Sequence, residues 1–476
     1  MMKPQIHQIK ISMKRTIPRR FIIIGAGPTG LGAASRLQEL GAHWILFEKK
    51  PYLGGLATSF KKDGFIWDMG SHVHYSHYKK YDDFLNKIIP DNEWVNHQRI
   101  CFIRLCHQWI PYPLQYNIGF LPQEERWQCI RELIRLFTQK VIPDRSNFQQ
   151  FIKTHFGEGI ATLFMIPYNL KIWAYPLHQM NTNWLGDRVP LIDLEKVLYQ
   201  VIHNRSDSTW GPNHSFRFPL RGGTGEIWQR LAMSLPQDQI YLNTEVMEIH
   251  SSDQTVTLGD GQTISYDILI NTMPLDLLVQ KIDLPGLFAY AGKLHHNRVT
   301  IIGLGIRLPI PELIKHHSWM YFPENDPPFY RATVFSNYSP HNAREDCWSL
   351  MLEISDSQNK PINPKELVKQ CIDGCLATGL IVKEEDIVNL WQCRAEYSYP
   401  IPNHERDNTL HVLLHALESK QIFSRGRFGA WKYEVGNMDH SYMQGVEVVD
   451  KILLGSEEIT LWNPDRVNSP NPPVTL

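Results

Sequence analysis

The segment "FIIIGAGPTGLGAASRL", residues 21 to 37, constrains this chain more than any other. Four apolar residues run into Gly25-Ala26-Gly27-Pro28-Thr29-Gly30, and beyond them Leu31, Ala34 and Leu37 recur at helical spacing. That order predicts a buried strand, a tight turn and a helix. Gly25 permits the turn, Gly27 lets the backbone approach a pyrophosphate, and Gly30 lets the helix pack closely on the strand, with the phosphate charge facing the helix N-terminus. A second buried-strand pattern, "AHWILFEKK", ends in Glu48, about where dinucleotide folds place an acid that binds a ribose. The competing reading is a glycine-rich turn in another α/β unit, with Glu48 a solvated strand end.

A chain of 476 residues exceeds one ordinary core, so two or three domains are expected. The net charge of −1 excludes a broad polyanion-binding surface and confines anion recognition to local sites. Seven cysteines, at 101, 106, 129, 347, 371, 375 and 393, are odd in number and lack zinc spacing. Reduced thiols in a cytosolic protein fit them, with Cys371 and Cys375 on one packed helix face. No apolar run reaches the roughly 18 residues of a membrane span, and the N-terminus lacks a signal peptide's apolar core. Lys3, Lys10, Lys14, Arg15, Arg19 and Arg20, without one acid, read as a flexible basic leader, and "NSPNPPVTL" reads as a loose tail.

From about 124 to 204 the periodicity is helical: Trp127, Ile130, Ile134 and Phe137, then Phe148, Phe151, Ile152, His155 and Phe156, then Leu194, Val197, Leu198 and Val201. Strands follow in "IYLNTEVMEIH", in "QTVTLGDGQTISY" with a Gly-Asp-Gly hairpin, and in "DILINTMP". A second strand-rich region, about 298 to 354, predicts a mostly antiparallel sheet. "NMDHSYMQGVEVVDKILLG" reads as a capped helix with Asp439 near its start and Gly455 closing it.

Gly54-Gly55 in "PYLGGLATSF" and the late strand ending at Pro274 join the N-terminal motif and the closing helix. Together they resemble the discontinuous FAD domain of the amine oxidase and mutase flavoproteins, which favours FAD over NAD. More specific blocks follow: "GSHVHYSHYKKYDDFL", "NHQRICFIRLCHQWIPYPLQYNI", "LFMIPYNLKIWAYP", "WLGDRV", "GPNHSFRFPLRGGTGEIW", "FYRATVFSNYSP" and "SRGRFGAWKYEVGNMDHS". In order, and over roughly residues 20 to 465, they are similar to the eukaryotic-type UDP-galactopyranose mutases. The resemblance implies an α/β fold: a discontinuous Rossmann-like FAD-binding domain (20–115, 207–296 and 419–465), an inserted helical domain (116–206) and a mainly antiparallel sheet domain (297–418). A leader (1–19) and a tail (466–476) flank them.

The activity so implied interconverts UDP-galactopyranose and UDP-galactofuranose, with N5 of reduced FAD attacking the anomeric carbon and no net redox change. NADPH is the external reductant the resemblance allows, and the oligomeric state stays open, homo-oligomers included. No nucleic acid or membrane partner is expected, and the location expected is cytoplasmic. An amine-oxidase-like FAD oxidoreductase and a non-catalytic nucleotide-sugar-binding flavoprotein are the alternatives.

By the same resemblance, FAD contacts fall on Gly25, Gly27, Gly30, Glu48, Gly54, Gly55, Leu56, Val246, Arg427, Asn437 and Ser441. Arg188 and Arg331 match the two arginines that hold the diphosphate, which suits a planar, permanently charged fork. At an effective dielectric near 20 each such pair is worth about 4 kcal/mol before desolvation. Tyr321, Tyr338, Tyr399 and Tyr433 match positions near diphosphate or flavin, and Asn213 and Trp319 positions beside galactose. Tyr112, Gln115, Phe164, Tyr168, Asn169 and Trp173 are expected around the uridine. The segments around 185–193 and 209–215 match mobile flaps. His72 matches the histidine of a mobile loop against the flavin; His74 and His77 follow it without acids that complete a metal set, so no metal is expected. Relatives carry Gly-Gly-His where this chain has Gly70-Ser71-His72, which predicts altered switching of that loop, because serine resists positive φ.

Overall fold

In the computed structural model, which describes residues 19–186, 192–208 and 214–469, the strand Arg20–Ile24 breaks at Gly25 and the helix Pro28–Glu39 begins at once. Gly25 has φ +100°, and a Cβ there would collide with the Thr272 hydroxyl, so the turn requires glycine. Arg20–Ile24 is the centre of a five-stranded parallel sheet. Ile268–Asn271 and Ile422–Ser424 lie on one side of it, His43–Phe47 and Ile240–Tyr241 on the other. The sheet thus draws strands from the start, middle and end of the chain. Leu31, Ala34 and Leu37 are all buried, and the closing helix, Met438–Leu454, packs against Pro28–Glu39. Backbones meet there without intervening side chains: a Cβ on Gly32 would lie 2.6 Å from the Tyr442 carbonyl oxygen. Gly455 closes this helix in the left-handed conformation.

The second sheet has seven strands in the order Ile387–Pro400, His296–Arg307, Cys347–Asp356, Arg331–Val334, Trp319–Tyr321, Cys101–Leu105 and Gln108–Pro111. Every neighbouring pair is antiparallel except Trp319–Tyr321 with Cys101–Leu105. Cys347–Asp356 is buried at every position because both faces are covered. Its alternate residues feed different cores. Leu350, Leu352 and Ile354 pack beside Cys371 and Cys375 of the helix Leu367–Thr378, while Met351 packs toward the helical region. All seven cysteines are free.

That helical region contains Gln123–Thr138, Phe148–Ile160, Ile166–Trp173 and Leu194–Ile202. The first of these presents its apolar stripe outward: Trp127 is 54% exposed and Phe137 45%. Cys129 and Leu133 are buried instead. Gly159 of the neighbouring helix decides this, since a Cβ there would sit 2.8 Å from the Cys129 Cα, and a backbone contact that close orients the helix before its larger residues can. Among the described residues, no helix is long and apolar enough to cross a membrane.

Candidate active site

A cavity of about 860 Å³ runs from the Gly25 turn to the second sheet. Gly25, Gly27, Glu48, Gly55, Leu56, Val246, Arg427, Asn437 and Ser441 line it. Gly30 and Gly54 do not: Gly30 is pressed against the Gly25 carbonyl, and Gly54 donates its N–H to the Ala26 carbonyl at 2.8 Å. Glu48 is buried at the rim, its two oxygens accepting the backbone N–H groups of Ala26 (2.8 Å) and Lys50 (2.9 Å). The carboxylate is thereby aimed before any ribose arrives. Gly27 and Gly55 face each other closely, a Cβ on Gly55 falling 3.2 Å from the Gly27 Cα. A floor without side chains beside a helix N-terminus fits a pyrophosphate, and the length of the cavity beyond it fits the rest of an FAD.

The far end of the cavity holds His72 and Arg331. Gly70, at φ +112°, starts the loop, and its carbonyl accepts the His72 N–H at 2.9 Å across a tight turn centred on Ser71. Positive φ therefore belongs to Gly70 here, and Ser71 is not among the residues with positive φ. Ser71 is tied down twice: its N–H donates to Glu353 Oε1 at 3.1 Å, and its hydroxyl lies 2.6 Å from the Thr333 hydroxyl. Burial, only partly opposed by Glu353, lowers the His72 imidazole to about 4, which keeps it neutral. Its Nδ1 is buried without a hydrogen-bond partner among the described residues, as are both ring nitrogens of His74. Such orphans suit a loop that faces an absent polar group. At the other end of the loop, His77 Nδ1 pairs with Asp439 Oδ2 at 2.6 Å, and its ring stacks on His440 at 4.6 Å.

Arg331 and Glu353 are cross-strand partners. The guanidinium donates from Nε to Oε1 (2.9 Å) and from Nη2 to Oε2 (2.6 Å), and Tyr330 donates its hydroxyl to Oε2 (2.7 Å). Burial alone would raise the Glu353 carboxyl, but Arg331 outweighs it and holds the group below its ordinary value. Among the described residues, two of the five guanidinium N–H groups are used, which leaves the Nη1/Nη2 fork for a ligand. The expectation of about 4 kcal/mol from a bare guanidinium is corrected accordingly, because Glu353 already opposes that charge. Tyr338 is buried close enough to Arg331 to feel its charge, and its hydroxyl has no hydrogen-bond partner among the described residues.

Aromatic rings continue from there. Trp319 Nε1 donates to the Tyr321 hydroxyl at 2.6 Å, and the Tyr321 ring meets Tyr112 at 5.1 Å and Tyr168 at 5.2 Å. A π-helical turn, Ala161–Met165, precedes Ile166–Trp173, and Phe164 stacks on Tyr168 at 5.1 Å. Gln115 is buried in the turn Leu114–Tyr116. Asn169 donates to the Met165 carbonyl (2.7 Å). Trp173 contacts Tyr399 (5.8 Å) and Tyr433 (4.8 Å), and both tyrosines line the cavity under the Arg427 guanidinium. Arg188 and Asn213, with most of the two expected flaps, lie outside the described residues.

Sequence reading missed Glu353, Thr333, the His77–Asp439 pair, and Arg99, whose guanidinium lies 5.3 Å above the Tyr112 ring. Only Glu353 left a signal: one acid inside the apolar run "SLMLEIS".

The family model of flavin containing amine oxidoreductases matches residues 28–439. A crystal structure of reduced UDP-galactopyranose mutase superimposes with a TM-score of 0.93, at 44% identity over 95% of this chain and 98% of that one. Wild-type putrescine oxidase bound to putrescine shares the fold alone, with a TM-score of 0.62 at 15% identity, covering 92% of this chain and 99% of that one. A 4,4'-diapophytoene desaturase of Staphylococcus haemolyticus (strain JCSC1435) is 52% identical over 48 residues, 10% of either chain. The chain thus spans about a tenth of the length of the curated relatives it matches.

Proposed function

The chain belongs to the flavin containing amine oxidoreductase family, alongside UDP-galactopyranose mutase, and from that membership we propose that it interconverts UDP-galactopyranose and UDP-galactofuranose. Its cofactor is FAD, which in reduced form supplies, through N5, the nucleophile toward the anomeric carbon, without net redox change. The observation that carries the reading is the 44% identity over 95% of the chain.

The chain's own residues have these roles in the proposal. The free fork of Arg331 holds the diphosphate as the bond to sugar breaks and as it re-forms, while Glu353 fixes that fork in one orientation. Arg188 is assigned the second clamp from its motif alone. Tyr321, Tyr338, Tyr399 and Tyr433 offer neutral donors along the diphosphate, and Trp319 is assigned to the galactose, as is Asn213 from its motif alone. Tyr112, Gln115, Phe164, Tyr168, Asn169 and Trp173 wall the uridine away from water. His72, neutral and buried, is the residue that would face the isoalloxazine of a bound FAD, and it would bring no charge to it.

The test is anaerobic incubation of chemically reduced holoprotein with UDP-galactofuranose, followed by chromatography for the pyranose. Conversion that persists with fully oxidised flavin contradicts the proposal, and no conversion with reduced flavin leaves a binding protein. Anaerobic bleaching of the flavin absorbance by NADPH decides whether NADPH is the reductant.

A further inference from the structure

Lys171 lies in the last turn of Ile166–Trp173 and is only 5% exposed. Its ammonium donates to three backbone carbonyls of one distant segment: Phe322 at 3.0 Å, Glu324 at 2.5 Å and Pro327 at 2.5 Å. Three donors meet three acceptors, so the group is fully satisfied. No salt bridge to a carboxylate involves it among the described residues. Burial of this cation is costly and is only partly offset by the nearby Asp326 and Glu324 carboxylates, and an apolar residue would ordinarily serve as well if the task were only to pack the helix.

The helix does not need this ammonium to stay seated. Asn297 donates to the carbonyls of Ile172 (2.8 Å) and Trp173 (3.1 Å). Ser355 and Lys360 donate to that of Lys171, and Ser357 to that of Ala174 (2.5 Å). The orphan carbonyls of the helix end are thereby bonded to the second sheet and to the residues that follow Cys347–Asp356. What the ammonium adds is a hold on the 322–327 segment, which leaves the strand Trp319–Tyr321 directly after Tyr321. Tyr168, on the same helix as Lys171, meets the Tyr321 ring at 5.2 Å. One side chain therefore ties Tyr168, a wall of the expected uridine pocket, to Tyr321, the tyrosine expected beside the diphosphate.

We propose that Lys171 is a positioning residue for the uridine end of the site: its ammonium sets the separation of Tyr168 from Tyr321 and, through it, the affinity for the nucleotide. This rests on the mutase reading. Lys171 is not among the cavity-lining residues at the FAD end, so the two binding functions should separate.

The experiment compares wild-type, Lys171→Met and Lys171→Arg holoproteins for UDP-galactose binding by titration calorimetry, FAD retention after gel filtration, and the split between KM and kcat. The expected result for Lys171→Met is a rise in Kd and KM of tenfold or more, kcat within twofold and full FAD retention, with partial recovery in Lys171→Arg. Equal affinity in Lys171→Met and wild type overturns the proposal, as does parallel loss of FAD and nucleotide, the mark of a merely structural role. If neither variant folds, hydrogen exchange of the wild-type holoprotein decides: the amides of Phe322, Glu324, Asn325 and Asp326 gain protection when UDP-galactose binds, and unchanged protection overturns the proposal. A wild-type protein that does not bind UDP-galactose removes the mutase reading itself, and this proposal with it.

Discussion

Replacing Glu353 by glutamine tests how the arginine end of the cavity is held together. The carboxylate is 2% exposed and accepts four bonds, from Ser71 N–H and Arg331 Nε on Oε1 and from Arg331 Nη2 and the Tyr330 hydroxyl on Oε2. Glutamine keeps the two on its carbonyl oxygen and turns an NH₂ donor toward the other two donors. The charge of Arg331 is then buried without its partner, a defect worth about 3–5 kcal/mol. In urea, at a slope of roughly 3 kcal/mol/M, that lowers the midpoint by about 1 M or slightly more. Adding Arg331→Met should recover part of the loss, because no unpaired charge remains. The pH dependence has a definite sign. Arg331 holds the Glu353 carboxyl below its unfolded value, so the stabilisation is fully present above about pH 4.3 and is lost as pH falls through the folded value. A Glu353→Gln protein within about 1 kcal/mol of wild type, or a double variant whose loss equals the sum of the single losses, refutes this account.

Three further outcomes are expected. Gly25→Ala should lower the melting temperature whether or not FAD is bound, since its Cβ meets Thr272, whereas Gly27→Ala, with 3.8 Å to the nearest atom, should chiefly weaken FAD retention, by about tenfold or 1.4 kcal/mol; equal melting curves for both would count against the assignment. Ser71→Gly and Thr333→Val each remove one hydroxyl from the 2.6 Å bond that anchors the histidine loop, so both should change the rate of flavin activation or of turnover, and unchanged kinetics in the two would reject the anchoring. Burial raises Asp68 to about 7 despite its bonds from Ser59 and Thr224, so its contribution to stability falls as pH rises from about 4 to 7. Asp68→Asn should gain stability relative to wild type across that range, and parallel pH–melting curves would disprove it.

The parallel sheet around Arg20–Ile24 was legible because its signals are local. Apolar runs, the glycine spacing and the helical recurrence of Leu31, Ala34 and Leu37 all lie within about twenty residues, where backbone sterics alone select strand, turn and helix. Cys371 and Cys375 were placed on a buried helix face for the same reason. Trp127, Ile134 and Phe137 misled, because a helical period says that a helix forms and not which face a neighbour covers. The contact with Gly159 decided that. Motif order carried Arg331 and His72 to the cavity but could say nothing of what holds them.

Ser71 and Glu353 are 282 positions apart. Only the register of Arg331–Val334 on Cys347–Asp356 puts Glu353 beside Arg331, and only the packing of the loop after Gly70 onto that sheet brings Ser71 to Glu353 and Thr333. The sequence by itself determined the chain's elements, its dinucleotide turn and its family likeness, since these depend on residue type and short spacing. The tertiary structure alone decided which charges are paired, which rings touch and which hydroxyls stay open, because a buried group's energy is set by neighbours that folding, and not chain order, brings to it.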